Sequence, residues 1–345
     1  MRSEKQNPLV SVGMPVYNGA KTLRRALDSI LEQDYTNFEL IISDNASTDE
    51  TTEICREYAA RDSRISYYRI EKNTGAVWNF NRVFELASGK YFMWAAHDDD
   101  HLPSFISKCV ERLEANTQAV LCAPHTSGHV EEINCALHLN VLDTIEGICC
   151  VRKRFMEVLK YLPATAIYGV IRRDAMEKTR LCENYNATEI VFTNELSLYG
   201  EFIQVPEVLF HYYGRLHRDE PKEAFAKIHP DNKPPRFYFP FILVYYNNIK
   251  AVCRSPLSIL NKMDLIIRIT LHECIINSVK LIFRKATSFF GVRRPSWIND
   301  LATKVLYSNP NIHMMRIDRT AEDYELWRVW LKGIYPPGIQ LNSLD

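Results

Sequence analysis

The 345-residue sequence has no excess of charge of either sign: 42 Lys and Arg stand against 42 Asp and Glu. A nucleic-acid-binding surface needs basic side chains to neutralise phosphates, so this balance argues against that class. There is no disulfide framework either. The nine cysteines are scattered and odd in number, as reduced thiols in a cytoplasmic setting are. Met1–Pro8 is polar and offers no apolar run for a signal peptide. On that expectation the Asn-x-Ser/Thr sequons at Asn45 and Asn186 are chance matches. A membrane-spanning segment is not expected, because the apolar stretch Leu265–Phe283 is interrupted by Arg268, His272, Glu273 and Lys280. No internal repeat is found. The first apolar run is not followed by Gly-x-Gly-x-x-Gly, which argues against a nicotinamide-dependent oxidoreductase.

What the chain does have is alternation. Leu9–Met14, Phe38–Ile42, Ile65–Arg69, Tyr91–Ala96 and Ala119–Ala123 read as strands. Between them, Lys21–Gln33 carries Leu23, Ala26, Leu27, Ile30 and Leu31 at helical spacing. Ser47 and Glu50 form a capping-box signature for a helix through Ala60, Val77–Ala87 reads as a helix, and Pro103 opens another at its first turn. This pattern predicts an α/β fold: a mostly parallel, Rossmann-like sheet with helices on both faces. From Thr126 to Gly147 the pattern weakens into loop-like sequence. Ala164–Ile171 then reads as a strand, Glu189–Tyr199 as a helix ended by Gly200, and Phe202–Tyr213 as a strand pair interrupted at Pro206. Phe237–Cys253, Ile259–Arg284 and Ala321–Leu331 read as helices beyond a polar, Pro-rich linker at 218–235.

Ligands of such sheets bind at the carboxyl ends of the strands. After the first strand stand Pro15, Val16, Tyr17 and Asn18, either a platform for a flat ring or an ordinary turn. After the second, Asp44 can accept hydrogen bonds from a ligand N–H, whereas Ser47 and Asp49 suit helix capping. Asn73-Thr74-Gly75 follows the third, and Gly75 permits close backbone approach to a ligand. His97-Asp98-Asp99-Asp100 follows the fourth. Clustered carboxylates raise one another's pKa unless a cation joins them, and oxygen-rich sites suit Mg2+ or Mn2+, ions that also bind phosphates. Cys122, His125, His129 and Cys135 match no standard zinc spacing.

Taken together, Val10–Asn18, Asp44–Asp49, Asn73–Gly75 and Trp94–Asp99 followed by Pro103 resemble glycosyltransferase family 2, inverting enzymes of the GT-A fold, over roughly residues 8–215. The resemblance implies a GT-A domain at 8–217, with a nucleotide-sugar-binding half at 8–125 and an acceptor half at 126–217. A linker at 218–235 and a helical region at 236–345 would follow. It implies Pro15 and Tyr17 around the nucleobase, Asn18, Asn73 and Gly75 on the donor, and Asp44 on the polar edge of a uracil or thymine. It also implies His97 near the ribose and Asp98 on a Mn2+ or Mg2+ ion. With Pro103 fixing the register, the first Asp of the family's Asp-x-Asp falls on Ala96 and the second on Asp98; the alternative pair is Asp98 with Asp100. The catalytic base falls on Glu189, where Asp is more usual, with Glu183 and Glu195 as other candidates. Arg215 and His217 follow the last strand, on the donor diphosphate or in a solvated basic loop.

The expected activity is transfer from a nucleoside-diphosphate sugar, a UDP-sugar first, to a glycan or lipid-linked hydroxyl acceptor in surface polysaccharide or glycoconjugate assembly. The alternative is a degenerate, non-catalytic nucleotide-sugar-binding protein. Arg284, Lys285, Arg293 and Arg294, interleaved with Phe289, Phe290 and Trp297, suit either peripheral contact with the cytoplasmic face of a membrane or a core-packing helix.

Overall fold

The computed structural model describes residues 7–130, 135–139, 142, 145–161, 164–214, 221–231 and 240–272. Strands β1 (Val10–Val16), β2 (Phe38–Asp44), β3 (Ile65–Arg69) and β4 (Tyr91–Trp94) run parallel in the order β3-β2-β1-β4. They are joined by helices α1 (Ala20–Leu31), α2 (Thr51–Arg61) and α3 (Ala76–Glu85). Every residue of β1 is buried, as a strand covered on both faces must be.

Side-chain alternation sorts two cores. Val10, Val12, Met14 and Val16 pack with Leu23, Leu27 and Ile30 on one face, while Phe92 and Trp94 pack with Val83 and Phe84 on the other. At Gly13 a Cβ would stand 2.7 Å from both the Phe92 ring and Val83, so only a glycine lets α3 lie this close to the sheet.

The chain continues through β5 (Asp100–His101), α4 (Phe105–Ala115), β6 (Ala119–Val130), β7 (Cys135–Leu139), α5 (Val151–Tyr161) and a 3-10 turn at Ala164–Tyr168. β8 (Val170–Arg172), α6 (Arg173–Met176), α7 (Thr188–Leu196) and β9 (Glu201–Gly214) follow. From β4 the sheet goes on as β8-β6-β9-β5, with β7 on β6. β8 is antiparallel to β4 and β6, while β6 and β9 are parallel. The sheet is thus parallel through its first four strands and mixed beyond them. Helices α8 (Pro221–Ile228) and α9 (Pro240–Arg254) come next, then helical residues 259–272. A third core of Phe155, Met156, Leu198, Val252, Leu265 and Ile269 ties these last helices to α5 and the end of α7.

Four local expectations are corrected. The stretch from Thr126 is not loop-like: β6 runs to Val130 because β9 pairs with it to Gly214. Ala164–Ile171 is not one strand, since the chain joins the sheet only after Gly169, where a Cβ would meet the Cys122 carbonyl oxygen at 2.6 Å. Pro206 does not split β9. The register jumps from Pro124↔Val205 to His125↔Val208, so Pro206 sits in a bulge and its missing N–H costs no ladder bond. Ser47 is not the cap of α2, which starts at Thr51 with its N–H bonded to Asp49 Oδ1 at 3.1 Å. Among the described residues no helix is long and apolar enough to cross a membrane.

Candidate active site

The carboxyl ends of the parallel strands carry a polar frame. Val16 pairs in register with Asp44, which brings the loops after β1 and β2 side by side. The Asn18 N–H donates to Ser47 Oγ (2.9 Å), the Thr48 N–H to Asn18 Oδ1 (2.8 Å) and the Gly19 N–H to Thr51 Oγ1 (2.9 Å). Asn18 adopts a left-handed φ of 52° to do so. Pro15 is buried in β1, and Tyr17, 44 % exposed, is left standing on this frame with its ring open.

Asp44 lies beneath the loop, fully buried. Its Oδ1 accepts the Ser47 N–H (2.8 Å), and its Oδ2 accepts the Thr52 and Tyr67 hydroxyls (2.9 Å each), with Arg69 at 3.4 Å. Both oxygens are engaged inside the protein. The residue that ties the β2 and β3 ends together is Asn45, which sequence reasoning did not single out. Its amide donates to Asn73 Oδ1 (3.0 Å) and the Gly75 carbonyl (3.2 Å), and its Oδ1 accepts the Thr74 N–H (2.9 Å).

Gly75 has φ 98°, and the backbone that approaches it closely is that of α8: a Cβ there would collide with the Ile228 carbonyl. The helix thus rests on the strand-end glycine, helped by the Lys72–Asp231 ion pair (2.6 Å).

The acid run is sorted by its neighbours. His97 packs on Gly19 with its Nδ1 3.2 Å from Thr22 Oγ1. Asp98 is half-buried; its carbonyl accepts from Arg25 (2.7 Å), while its carboxylate is bonded to none of the described residues. Asp99 is 1 % exposed, with Oδ1 accepting the Tyr213 N–H (2.9 Å) and Oδ2 buried without a partner. Burial, then the charge of Asp98, holds its carboxyl well above the usual range. Asp100 is paired with Arg25 (2.9 Å) and accepts the Tyr213 hydroxyl (3.0 Å); the Arg25 guanidinium stacks over the Tyr213 ring at 3.8 Å.

Of the expected metal pair, therefore, Asp98 presents an open carboxylate and Asp100 does not. Among the described residues no group of three or more His, Cys, Asp or Glu converges as a self-sufficient metal cage. The single carboxylate of Asp98 fits a hard divalent ion that takes its remaining oxygens from a diphosphate and water, as Mg2+ commonly does.

Glu189 stands in the first turn of α7, behind Ala187, whose φ of 64° is unusual for a non-glycine residue. It lines a cavity of about 320 Å3 with Phe80, Ile167, Tyr168, Tyr185 and Tyr212. Tyr168 connects this cavity to the acid run: after burial, the charges of Asp99, Asp98 and Glu189 all push its phenol up. Glu195 faces elsewhere. It is buried, accepts the Arg180 N–H (3.2 Å) and pairs with Arg254 of α9 (2.9 Å), a structural clamp. Glu183 pairs with Arg180 (3.2 Å) at the surface. Arg215, His217 and the basic-aromatic stretch 284–297 lie outside the described residues.

Comparison with known proteins agrees with the strand-end motifs. The model of glycosyl transferase family 2 matches residues 11–180. The resemblance to glycosyl transferase family 2 therefore holds over these residues, about half of the chain. An uncharacterized glycosyltransferase of Rickettsia prowazekii is 40 % identical over 106 residues, which are 31 % of this chain and 32 % of that one. The putative colanic acid biosynthesis glycosyl transferase WcaA of Escherichia coli K12 is 39 % identical over 105 residues, 30 % of this chain and 37 % of its own. The matches thus span about a third of these relatives' length. An uncharacterized glycosyltransferase of Haemophilus influenzae is 27 % identical over 70 % of this chain and 75 % of its own. In three dimensions, S. aureus TarS 1–349 aligns with a TM-score of 0.57 and 12 % identity, covering 94 % of this chain and 81 % of that one. The chain shares the fold of TarS 1–349.

Proposed function

We propose that this chain is an inverting glycosyltransferase that moves a sugar from a nucleoside-diphosphate sugar, a UDP-sugar first, to a hydroxyl of a glycan or lipid-linked acceptor. The observation that carries the reading is the meeting of the acid run and the candidate base on β9: Tyr212 lines the cavity with Glu189, and its neighbour Tyr213 donates from its N–H to Asp99 and from its hydroxyl to Asp100. TarS structures exist in complex with UDP and UDP-GlcNAc, which supports a uridine nucleotide as the donor. Relatives named for colanic acid and teichuronic acid biosynthesis support a role in surface polysaccharide assembly. In this reading the transfer takes place at the cytoplasmic face of a membrane, which the basic-aromatic C-terminal stretch suits as a peripheral contact.

In this reading Glu189 accepts the proton of the acceptor hydroxyl as its oxygen attacks the anomeric carbon. The bond from that carbon to the diphosphate breaks, and the nucleoside diphosphate leaves with its electron pair. Asp98 would hold a Mn2+ or Mg2+ ion, which when bound would supply charge neutralisation to the departing diphosphate. Tyr17 offers its exposed ring to the nucleobase, and the Asn18, Asn73 and Gly75 loops form the donor's frame. Asp44 supports that frame from below. His97, pinned by Thr22, faces the ribose side.

The test is nucleoside diphosphate release from UDP-, dTDP- and GDP-sugars with Mn2+ across an acceptor panel. Absence of both turnover and nucleotide binding sinks the reading. The Arg25–Asp100 pair, which leaves one open carboxylate in the run, favours one alternative, a non-catalytic nucleotide-sugar-binding protein. Nucleotide-sugar binding without turnover on any acceptor would select it.

A further inference from the structure

We propose that the cavity beside Glu189 selects a deoxy sugar as the acceptor, a pyranose carrying a methyl group where the parent hexose carries a hydroxymethyl. The inference rests on the reading of Glu189 as the base that faces the acceptor. At about 320 Å3 the cavity lies at the small end of ligand pockets, a size for one sugar ring rather than a lipid tail. Its walls are mostly carbon. Val77 and Phe80 of α3, with Ile167 of the 3-10 turn, carry no side-chain donor or acceptor. The Phe80 carbonyl is already taken by the Trp94 indole N–H (2.9 Å), and the Thr188 hydroxyl accepts the Glu183 N–H (2.6 Å).

Polar capacity for a bound sugar is therefore gathered at a few points. Glu189 supplies a carboxylate, Tyr168, Tyr185 and Tyr212 their phenols, and Thr165 a hydroxyl that is buried without a partner while lining the cavity. A pyranose can lay its C–H face on the tyrosine and phenylalanine rings and direct two or three hydroxyls to these groups. A further hydroxyl turned toward Val77, Phe80 and Ile167 loses water and gains nothing, whereas a methyl group there buries apolar surface. An apolar pocket discriminates against an added hydroxyl by up to about a hundredfold.

The experiment is calorimetric titration of methyl rhamnoside and methyl fucoside against the hexosides that differ from them only in the 6-hydroxyl. The protein is saturated with whichever of UDP, dTDP and GDP binds it most tightly. The deoxy glycosides are expected to bind roughly ten to a hundred times more tightly. Val77→Thr, a near-isosteric change that adds a hydroxyl to the apolar wall, should shrink that preference several-fold and leave nucleotide affinity unchanged. Equal or tighter binding of the parent hexosides overturns the inference, as does absence of glycoside binding to the nucleotide-loaded protein. Either result leaves the proposed transfer standing. A protein that binds no nucleoside diphosphate at all refutes the proposed function, and the selectivity with it.

Discussion

The two sides of the site are built from opposite materials. Around Asp44, Asn45 and Asn73 the strand-end loops are stitched by side-chain hydrogen bonds, and the carboxylate at the centre is shielded from solvent. Around Glu189 the walls are rings and aliphatic side chains, with polar groups at isolated points. A hydrogen-bonded frame keeps its geometry with or without a ligand, so it suits the nucleotide, whose shape is constant. A cavity of carbon surface takes its selectivity from shape and desolvation, and a few side chains reset it. On the proposed function, recognition of the donor and recognition of the acceptor have separate physical origins in one sheet.

Substitutions on each side should keep that separation. Glu189→Gln should lower kcat by roughly 10²–10⁴-fold with donor KM little changed, since a lost general base is felt in the chemical step. Near-normal turnover with a slightly lower Tm would reduce Glu189 to a favourable acid at a helix start. Asp98→Ala should cost on the order of a hundredfold or more in Mn2+-dependent turnover, read from nucleoside diphosphate release, while the fold stays intact. Wild-type activity of this variant would move the metal site to another acid.

Asp44→Ala should act on the frame. It leaves the Thr52 and Tyr67 hydroxyls and the Ser47 N–H without their acceptor, so urea unfolding should register a loss of about 3 kcal/mol, and UDP affinity should fall about tenfold or more as the loop loosens. Lost UDP affinity at unchanged stability would instead make Asp44 a direct contact to the base.

The smallest effect, taken per pH unit, concerns protonation. His101 is buried between Phe105 and Phe210 with neither ring nitrogen bonded, and burial lowers its pKa from 6.5 to about 3. The unfolded chain therefore takes up this proton first. The contribution is complete above pH 6.5 and is lost as the pH falls toward 3, with a slope approaching 1.4 kcal/mol per pH unit (about RT ln 10). In His101→Phe the unfolding free energy should fall less steeply over that window. Identical slopes in the two proteins would mean that His101 is protonated in the folded state.

How much of this was legible in the sequence follows from range. The parallel half and its strand-end motifs were, because strand, turn and helix lie within a few residues of one another: Val10–Asn18 and Trp94–Asp99 carry their own punctuation. The use of Asp44 was not, because Tyr67 and Arg69 reach it from another strand, so a carboxylate that reads as an open acceptor is consumed internally. Asp98 and Asp100 look alike in a run of acids, and only Arg25 on α1 and Tyr213 on β9 tell them apart. The length of β6 and the packing of α8 on Gly75 likewise depend on partners about 80 and 150 residues away along the chain.

The Arg254–Glu195 pair has a practical consequence for anyone shortening this protein. Glu195 lies six residues beyond Glu189 on the same short helix, and its counter-charge comes from the last turn of α9. A chain cut anywhere between β9 and α9 would look like a tidy catalytic core on a gel. It would, however, leave a buried acid of α7, the helix that carries Glu189, without its counter-charge. Trimmed versions for crystallography or assay should keep Arg254 and run on past Ile269 of the third core, and a dead shorter version would say nothing about whether the full chain is an enzyme.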